Sequence, residues 1–209
     1  MELHRPFATV TPTLDGDVLA VLATHDSAFT TGQIHRILDR FSEEGVRKVL
    51  ARLVAQGVVT ANRVANAFSY QLNRDHLAAE PIMALAGLSN TFLSKLEGEL
   101  DQWDHPPKFA AVFGSALHGT MTVHSDIDLF LVQDRGSPDA AWTHHVDELA
   151  ARITGWTGND ARIISYTIGE LRRAAAEPMV GEICVSGLTL AGSRAWFLNQ
   201  VRPMAKKRD

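Results

Sequence analysis

The chain has a single cysteine, Cys184, among its 209 residues. One cysteine excludes a disulfide framework within the chain, so the composition favours a reducing compartment and we expect a cytoplasmic protein. The sequence also lacks an apolar run that approaches the roughly 18 residues of a membrane-spanning helix. The N-terminal residues MELHRPF lack the basic and then apolar order of a signal peptide. We therefore expect no membrane partner.

A strong excess of basic side chains is absent as well. The net charge of −4 arises in residues 77–105, where Lys95 stands against Glu80, Glu97, Glu99, Asp101 and Asp104. Basic and acidic side chains are balanced on both sides of that segment. Bulk charge therefore gives no support for nonspecific nucleic-acid binding, and any contact with DNA has to come from a local basic patch.

The most informative segment that is present reads KFAAVFGSALHGTMTVHSDIDLFLV. An apolar strand ends at Gly114 and Ser115, ten residues follow, and the pair Asp126 and Asp128 leads into a second apolar strand. The two acids are two positions apart on a strand, so they face the same way and need an offsetting charge, for which Mg²⁺ is suited. The small residues Gly114 and Ser115 let backbone N–H groups and a hydroxyl approach a phosphate closely. A phosphate cradle beside metal-binding carboxylates predicts phosphoryl or nucleotidyl transfer.

This order of strand, Gly-Ser, ten residues and Asp-x-Asp resembles the nucleotidyltransferase superfamily related to DNA polymerase beta, and especially its minimal members. The resemblance covers roughly residues 108–193. It implies that Gly114 and Ser115 hold the phosphates of an NTP, with ATP as the expected nucleotide. It also implies that Asp126 and Asp128 bind Mg²⁺ or Mn²⁺ and act in catalysis.

The resemblance departs from its pattern at the third acid, which active members usually bring from the next strand. That strand here begins NDARIIS, with Asp160 and Arg162 on one face. If Asp160 is the third acid, it serves as a base for the incoming hydroxyl and as a further metal ligand. If Arg162 holds that position, it neutralises Asp126 or Asp128 without metal, as in a degenerate, nucleotide-sensing domain. Further candidates for charge stabilisation are Lys108, Arg135 and Arg162.

Two histidines, His118 and His124, lie between the two halves of the motif. No metal-type histidine spacing surrounds them, so we interpret them as ordinary loop residues.

The first 76 residues contain the pattern of three helices followed by a β-hairpin. We predict helices near Leu19–Leu22, after Thr30 or Thr31, and from Ser42 to Gly57, and strands at Val58–Thr60 and Phe68–Leu72. The order, and the segment SEEGVRKVLARLVAQGVV above all, resembles a winged helix-turn-helix of bacterial transcription regulators.

By that resemblance the third helix enters the major groove of DNA and the hairpin is the wing. The candidate contacts with phosphates or base edges are Arg47, Lys48, Arg52 and Arg63. The alternative is a solvated helix face on a domain that binds protein.

A connecting helix is predicted from Ile82 to Trp103, where apolar residues recur at steps of three and four. Pro81 can open it, and the pair Pro106 and Pro107 ends it. This helix either packs on its own domains or pairs with a second copy in a homodimer.

The remaining chain alternates strands and helices, so the fold class we predict is α/β, or α+β over the whole chain. After the motif we expect a helix at Ala140–Thr154, a strand at Ala161–Thr167, helices at Ile168–Ala176 and Pro178–Val185, and a strand at Leu188–Gly192. The predicted organisation is a winged helix at 1–76, the connecting helix at 77–107, a nucleotidyltransferase-like domain with a mixed sheet at 108–195, and a tail at 196–209.

Two functions follow from these resemblances. The first is a Mg²⁺-dependent nucleotidyltransferase that moves an NMP from an NTP to a protein, small-molecule or RNA acceptor, coupled to a DNA-binding winged helix. Minimal superfamily members that act as antitoxins modify a partner toxin, so a toxin-like protein acceptor is one implied partner. The second is a DNA-binding transcriptional regulator whose transferase-like domain senses nucleotide and catalyses nothing.

Overall fold

The computed structural model of the protein describes residues 1–64, 66–134 and 140–202. The chain divides into two compact units, an N-terminal unit (Glu2–Asn90) and a C-terminal unit (Thr91–Asp209, with Met1). Arg135 and the last seven residues of the predicted tail lie outside the described residues. The four-part organisation of the chain stays a prediction. Within the described ranges, no helix combines the length and the apolar character needed to cross a membrane.

The N-terminal unit combines helices with a three-stranded antiparallel sheet of order β1-β3-β2. Its elements are α1 (Leu14–Ala23), β1 (Phe29–Thr30), α2 (Thr31–Ile37), α3 (Glu43–Ala55), β2 (Val59–Val64), β3 (Ala67–Leu72) and α4 (Ala79–Ala86). The three predicted helices and the two predicted strands are therefore present. The short strand β1, which was not predicted, pairs Phe29 with Tyr70.

Side-chain caps fix where the second and third helices begin. The Thr30 hydroxyl accepts a hydrogen bond from the Gln33 N–H, and the Gln33 side chain accepts from the Thr30 N–H in return. The Ser42 hydroxyl accepts from the Gly45 N–H at 3.1 Å. The apolar stripe of α3 is buried in the core of the unit through Val46, Val49, Leu50 and Leu53.

The predicted connecting helix is interrupted. Instead of one helix from Ile82 to Trp103, the chain forms α4 and then α5 (Leu88–Asp101), with Gly87 between them. The apolar pattern continues at helical spacing on both sides of Gly87, so periodicity alone could not show the break. Glycine destabilises a helix interior because it loses more backbone entropy on folding than other residues do. The first helix therefore ends at Gly87.

The C-terminal unit is built on a four-stranded mixed sheet of order β6-β5-β4-β7. After α5 its elements are β4 (Phe109–Phe113), β5 (Ile127–Gln133), α6 (Ala140–Thr157), β6 (Ala161–Thr167), α7 (Ile168–Arg173), α8 (Pro178–Ser186), β7 (Leu188–Gly192) and α9 (Arg194–Val201). β4 is antiparallel to β5 and β7, whereas β5 and β6 are parallel and joined through α6. The predicted mixed sheet with helices is confirmed.

The helix α9 was not predicted. The Ser193 hydroxyl caps it by accepting from the Trp196 N–H at 3.4 Å, and Phe197 is buried in the core. The Phe197 ring stacks on Phe109 with 4.3 Å between centroids. Its apolar residues Trp196, Phe197 and Leu198 are consecutive and show no helical spacing. The sequence pattern therefore did not indicate a helix.

Candidate active site

The two halves of the Gly-Ser and Asp-x-Asp motif meet at one end of the central strands. β4 and β5 are antiparallel, and their register pairs Phe113 with Asp128. Gly114, the next residue, has a φ of +75°, a conformation that side chains disfavour. A Cβ on Gly114 would lie 2.5 Å from the Asp128 Oδ2 atom. The backbone of the glycine is therefore packed directly against the carboxylate, and a larger residue would require that carboxylate to shift.

The Gly-Ser turn is a single 3₁₀ turn over Gly114–Ala116. The carbonyl of Gly114 accepts from the Leu117 N–H at 3.1 Å, and the carbonyl of Ser115 accepts from the His118 N–H at 3.3 Å. Ser115 is half-buried. This turn holds the serine hydroxyl at the same strand end as the two acids.

The two acids differ in their surroundings. Asp126 is exposed just before β5, whereas Asp128 is half-buried within the strand. Burial raises the pKa of Asp128, the guanidinium of Arg162 opposes this, and the charges of Asp126 and Glu182 add to it. The ionised form of Asp128 is therefore destabilised in this site. A bound cation would stabilise it.

The parallel register of β5 and β6 places Arg162 directly beside Asp128. The Ile127 N–H donates to the carbonyl of Asp160 at 2.8 Å, so Asp160 lies one position before the ladder, next to Asp126. Both Asp160 and Arg162 are exposed. The residue beside the half-buried acid is therefore the arginine, and the catalytic role of Asp160 stays a prediction.

A buried amide that sequence reasoning missed positions the segment before Asp126. Asn159 is only 2% exposed. Its Nδ2 atom donates to the carbonyl of Ser125 at 2.9 Å, with longer contacts to the carbonyls of Thr122 and Val123 at 3.3 and 3.4 Å. A polar residue between a glycine and a strand has the pattern of an ordinary loop residue, so nothing in the sequence indicates this role.

A third acid that was not predicted comes from α8. The charge of Glu182 acts on Asp128, and its Oε1 atom lies 4.0 Å from the His118 Nδ1 atom. His118 is one of the two histidines interpreted as ordinary loop residues. A lone glutamate on an apolar helix has the pattern of a surface residue. The sequence therefore does not indicate that Glu182 belongs to the site.

The two aspartates fit a divalent cation that is shared with a nucleotide. In the part of the chain that the structure describes, no group of three or more histidine, cysteine or acidic side chains is arranged to hold a metal ion. Mg²⁺, however, is commonly bound through one or two carboxylates together with substrate phosphates. Asp126 and Asp128 supply such oxygen donors. Burial, and after it the charges of Asp126 and Glu182, raises the pKa of Asp128, and a bound cation would offset both effects.

Lys108, the other basic candidate that the structure describes, is not brought to the acid pair. Lys108 precedes β4 at the opposite end from Gly114, where its N–H donates to the Val132 carbonyl at 2.7 Å. Its ammonium lies 3.9 Å from the Asp134 carboxylate. Of the basic candidates that the structure describes, Arg162 alone lies beside the acids.

The candidate DNA contacts of the N-terminal unit are partly engaged with acids of the same unit. Arg47 forms an ion pair with Glu44, and the Lys48 ammonium is 3.8 Å from the same carboxylate. Arg52 pairs with Asp15. Arg63 lies on the exposed part of β2.

Comparison with known proteins identifies the class of domain that carries this site. Residues 93–175 match the nucleotidyltransferase domain family. Residues 93–175 are therefore a nucleotidyltransferase domain, which supports a nucleotidyltransferase activity of the chain. None of the curated proteins compared with the chain matches it.

Solved toxin–antitoxin complexes share a partial likeness with the chain. One, described as a toxin–antitoxin with AMP-PNP, is 19% identical, covers 52% of this chain and 80% of its own, and has a TM-score of 0.40. Another is the tri-AMPylated HEPN toxin of Shewanella oneidensis in complex with MNT antitoxin, which is 17% identical over 54% of this chain and 79% of its own, with a TM-score of 0.37. TM-scores this low indicate a similarity and support no conclusion about the function of this chain.

Proposed function

We propose that the acid pair Asp126 and Asp128 is the centre at which this chain transfers an NMP group from an NTP, with ATP as the expected nucleotide, to an acceptor hydroxyl. The observation that carries the proposal is the direct packing of the Gly114 backbone against the Asp128 carboxylate. Phosphates held by the Gly-Ser turn would lie beside two oxygen donors that face one way.

The residues have separate tasks in this proposal. The backbone of Gly114 and the hydroxyl of Ser115 orient the β- and γ-phosphates. Asp126 and Asp128 would hold Mg²⁺ or Mn²⁺, which supplies neutralisation of phosphate charge when bound. Arg162 adds positive charge beside Asp128.

The bond changes are those of an in-line displacement. The acceptor oxygen forms a bond to the α-phosphorus, the bond from that phosphorus to the bridging oxygen of the β-phosphate breaks, and pyrophosphate leaves. The proton of the hydroxyl passes to a carboxylate, for which Asp160 is the predicted base. Positioning and electrostatic stabilisation provide most of the rate in such reactions.

The acceptor we favour is a hydroxyl on a partner protein of the toxin type. The support is the resemblance of the motif to minimal superfamily members that act as antitoxins. A small molecule or an RNA end as acceptor is the competing outcome of the experiment below.

For the N-terminal unit we propose DNA binding through α3 and the β2–β3 hairpin, in the manner of a winged helix. The exposed Arg63 on β2 supports phosphate contact by the wing. The ion pairs of Arg47, Lys48 and Arg52 are on the surface, where such pairs contribute little, so phosphates can replace the carboxylates.

One observation favours a second function. Arg162 stands beside Asp128 on the strand from which active superfamily members usually bring the third acid. A guanidinium there offsets the carboxylate without metal, as expected for a regulator that binds nucleotide and DNA but transfers nothing.

Incubation of the chain with NTPs labelled at the α-phosphate, with Mg²⁺ and candidate acceptors, decides between the two functions. Transfer that is lost in both Asp126→Asn and Asp128→Asn, and retained in Asp147→Asn on the exposed face of α6, supports the enzyme. Nucleotide binding in the unaltered chain without transfer to any protein, small-molecule or RNA acceptor overturns it in favour of the regulator.

A further inference from the structure

A histidine and a glutamate lie together at the transfer site, and neither is one of the four motif residues. His118 follows the Gly-Ser turn, and Glu182 comes from α8. The Glu182 Oε1 atom lies 4.0 Å from the His118 Nδ1 atom, and the charge of Glu182 also acts on the Asp128 carboxylate. The pair is therefore within electrostatic reach of the acids that the proposed function uses.

The two faces of the sheet explain why a residue of α8 reaches this site. Phe130 and Val132 share one apolar core cluster with Ile183 of α8. Asp128 precedes Phe130 by two positions in β5, so the alternation of the strand directs its side chain toward the same face of the sheet. Glu182 is the neighbour of Ile183 and is half-buried. The helix α8 thus brings an acid to the face of the sheet that carries Asp128.

The Gly-Ser turn fixes the position of His118. The His118 N–H donates to the Ser115 carbonyl at 3.3 Å, so the histidine closes the turn that holds the β- and γ-phosphates in the proposed function. Its Nδ1 atom faces Glu182. The Nε2 atom, on the opposite side of the ring, points away from the glutamate and is the nitrogen that can serve a phosphate on the turn.

The leaving pyrophosphate needs a proton donor at this end of the nucleotide. Negative charge develops on the bridging oxygen as its bond to the α-phosphorus breaks, and a donor placed there stabilises the transition state. Histidine is the side chain that most often has this task, and a carboxylate at one ring nitrogen orients the other. The separation of 4.0 Å from Glu182 is longer than a hydrogen bond, as is common for catalytic contacts before substrate binds.

We propose that His118 is the general acid of the transfer reaction and that Glu182 is the positioning residue that orients it, an inference that rests on the proposed function. As the acceptor oxygen bonds to the α-phosphorus, the electron pair of the breaking bond passes to the bridging oxygen. That oxygen takes the proton from Nε2 of the imidazolium, and pyrophosphate leaves. The other proton stays on Nδ1, facing Glu182, and solvent returns a proton to Nε2.

Transfer rates of the full chain with two NTP analogues test the proposal, with the acceptor that takes label in the experiment above. The β,γ-methylene analogue has a basic leaving group, and fluorine makes that of the β,γ-difluoromethylene analogue less basic. His118→Ala is expected to lower kcat about a hundredfold with the first and about tenfold with the second, since a less basic leaving group needs its proton less. The KM for the nucleotide should change less than about threefold. His124→Ala, at the other loop histidine, is the control that should keep both rates.

A double variant tests whether Glu182 acts through His118. Glu182→Gln is expected to lower kcat about tenfold in the unaltered chain, because an amide can hold the wrong tautomer of the ring, and to lower it no further in His118→Ala. The side chains of His118 and Glu182 are 47% and 39% exposed, so both variants should keep the melting temperature of the unaltered chain.

The opposite results are equally distinct. An equal loss with the two analogues in His118→Ala, or losses that add fully in the double variant, would overturn the proposal. Transfer that is lost in Asp128→Asn but kept in His118→Ala overturns this proposal alone. An unaltered chain that transfers no NMP overturns the proposed function, and the role of His118 with it.

Discussion

At the scale of single residues, the candidate site depends on a contact between a backbone and a carboxylate. Gly114 has no side chain and adopts a positive φ, and only this combination lets the Asp128 carboxylate approach its Cα atom. Arg162 and Glu182 then act on the same carboxylate with opposite charges. The charge state of Asp128 is thus set by neighbours from three different elements.

Gly114→Ala is expected to reduce NMP transfer by about a hundredfold or more, because the new Cβ displaces the Asp128 carboxylate and misplaced groups lose rate steeply. Gly119→Ala is the matched control. Gly119 also has a positive φ, of +68°, but a Cβ there meets nothing within 4 Å. Both variants should lose about 1 kcal/mol of stability from backbone strain, and only the first should lose transfer. Equal transfer in the two variants would contradict the proposed role of Gly114.

The raised pKa of Asp128 predicts a stability that falls with pH. In the folded chain the carboxyl holds its proton to a higher pH than in the unfolded chain, so folding is favoured at low pH and this advantage is lost as the pH rises through the folded-state pKa. Asp128→Asn removes the penalty of the buried charge. In buffer without divalent cations its melting temperature should therefore exceed that of the unaltered chain at neutral pH, and the difference should shrink toward pH 4.

Thermal melts of the unaltered chain and of Asp128→Asn, from neutral pH to pH 4, test the predicted direction of this pH dependence. A difference that grows as the pH falls would contradict it. Asp147→Asn, on the exposed face of α6, is the control that should leave the pH dependence unchanged.

At the scale of elements, strand faces and strand register were not equally predictable. The apolar run after Asp128 correctly predicted a buried strand, since every position from Leu129 to Gln133 is buried. The shared face of Asp126 and Asp128 stays a prediction. The sequence could also place Asp160 and Arg162 on one face. It could not tell which of them pairs with Asp128, because parallel register is set by how α6 packs back onto the sheet.

The contributions of Asn159 and Glu182 were unpredictable for a related reason. Each reaches the site from an element far along the chain, and neither belongs to a motif with fixed spacing. Three-dimensional proximity of this kind leaves no periodic trace in the sequence, whereas helices with an apolar stripe such as α3 do.

Arg162→Gln tests the register. The guanidinium beside Asp128 repels a cation at the acid pair, so its removal should lower the Mg²⁺ concentration for half-maximal thermal stabilisation about threefold. Arg172→Gln, an exposed arginine on α7, is the control of equal charge change. The same Mg²⁺ dependence in Arg162→Gln and the unaltered chain would show that Arg162 does not act on the cation site.

At the scale of the whole molecule, the charge of the chain limits how it can bind nucleic acid. The net charge is −4, and Glu44 on α3 already engages Arg47 and Lys48. Binding to DNA would therefore rest on few phosphate contacts, and it should be weak and strongly dependent on salt.

Arg63→Gln is expected to lower the slope of the logarithm of the DNA affinity against the logarithm of salt concentration by about 0.9, which corresponds to one phosphate contact. Arg47→Gln should lower it less, because Arg47 is already paired with Glu44. The measurement is fluorescence anisotropy of the full chain with a mixed-sequence duplex. A slope that is unchanged in both variants would favour the alternative in which this unit binds protein.

The bonds of Asn159 have a consequence for hydrogen exchange. The turn at Thr122–Ser125 is held to the start of β6 by one amide, and its own N–H groups bond only within the turn. Loss of the Asn159 contacts opens the turn without disturbing the sheet, so the Ser125 amide should exchange with deuterium far sooner than that of Phe130 in the buried centre of β5. Bound nucleotide would slow the Ser125 amide while leaving that of Phe130 as it was.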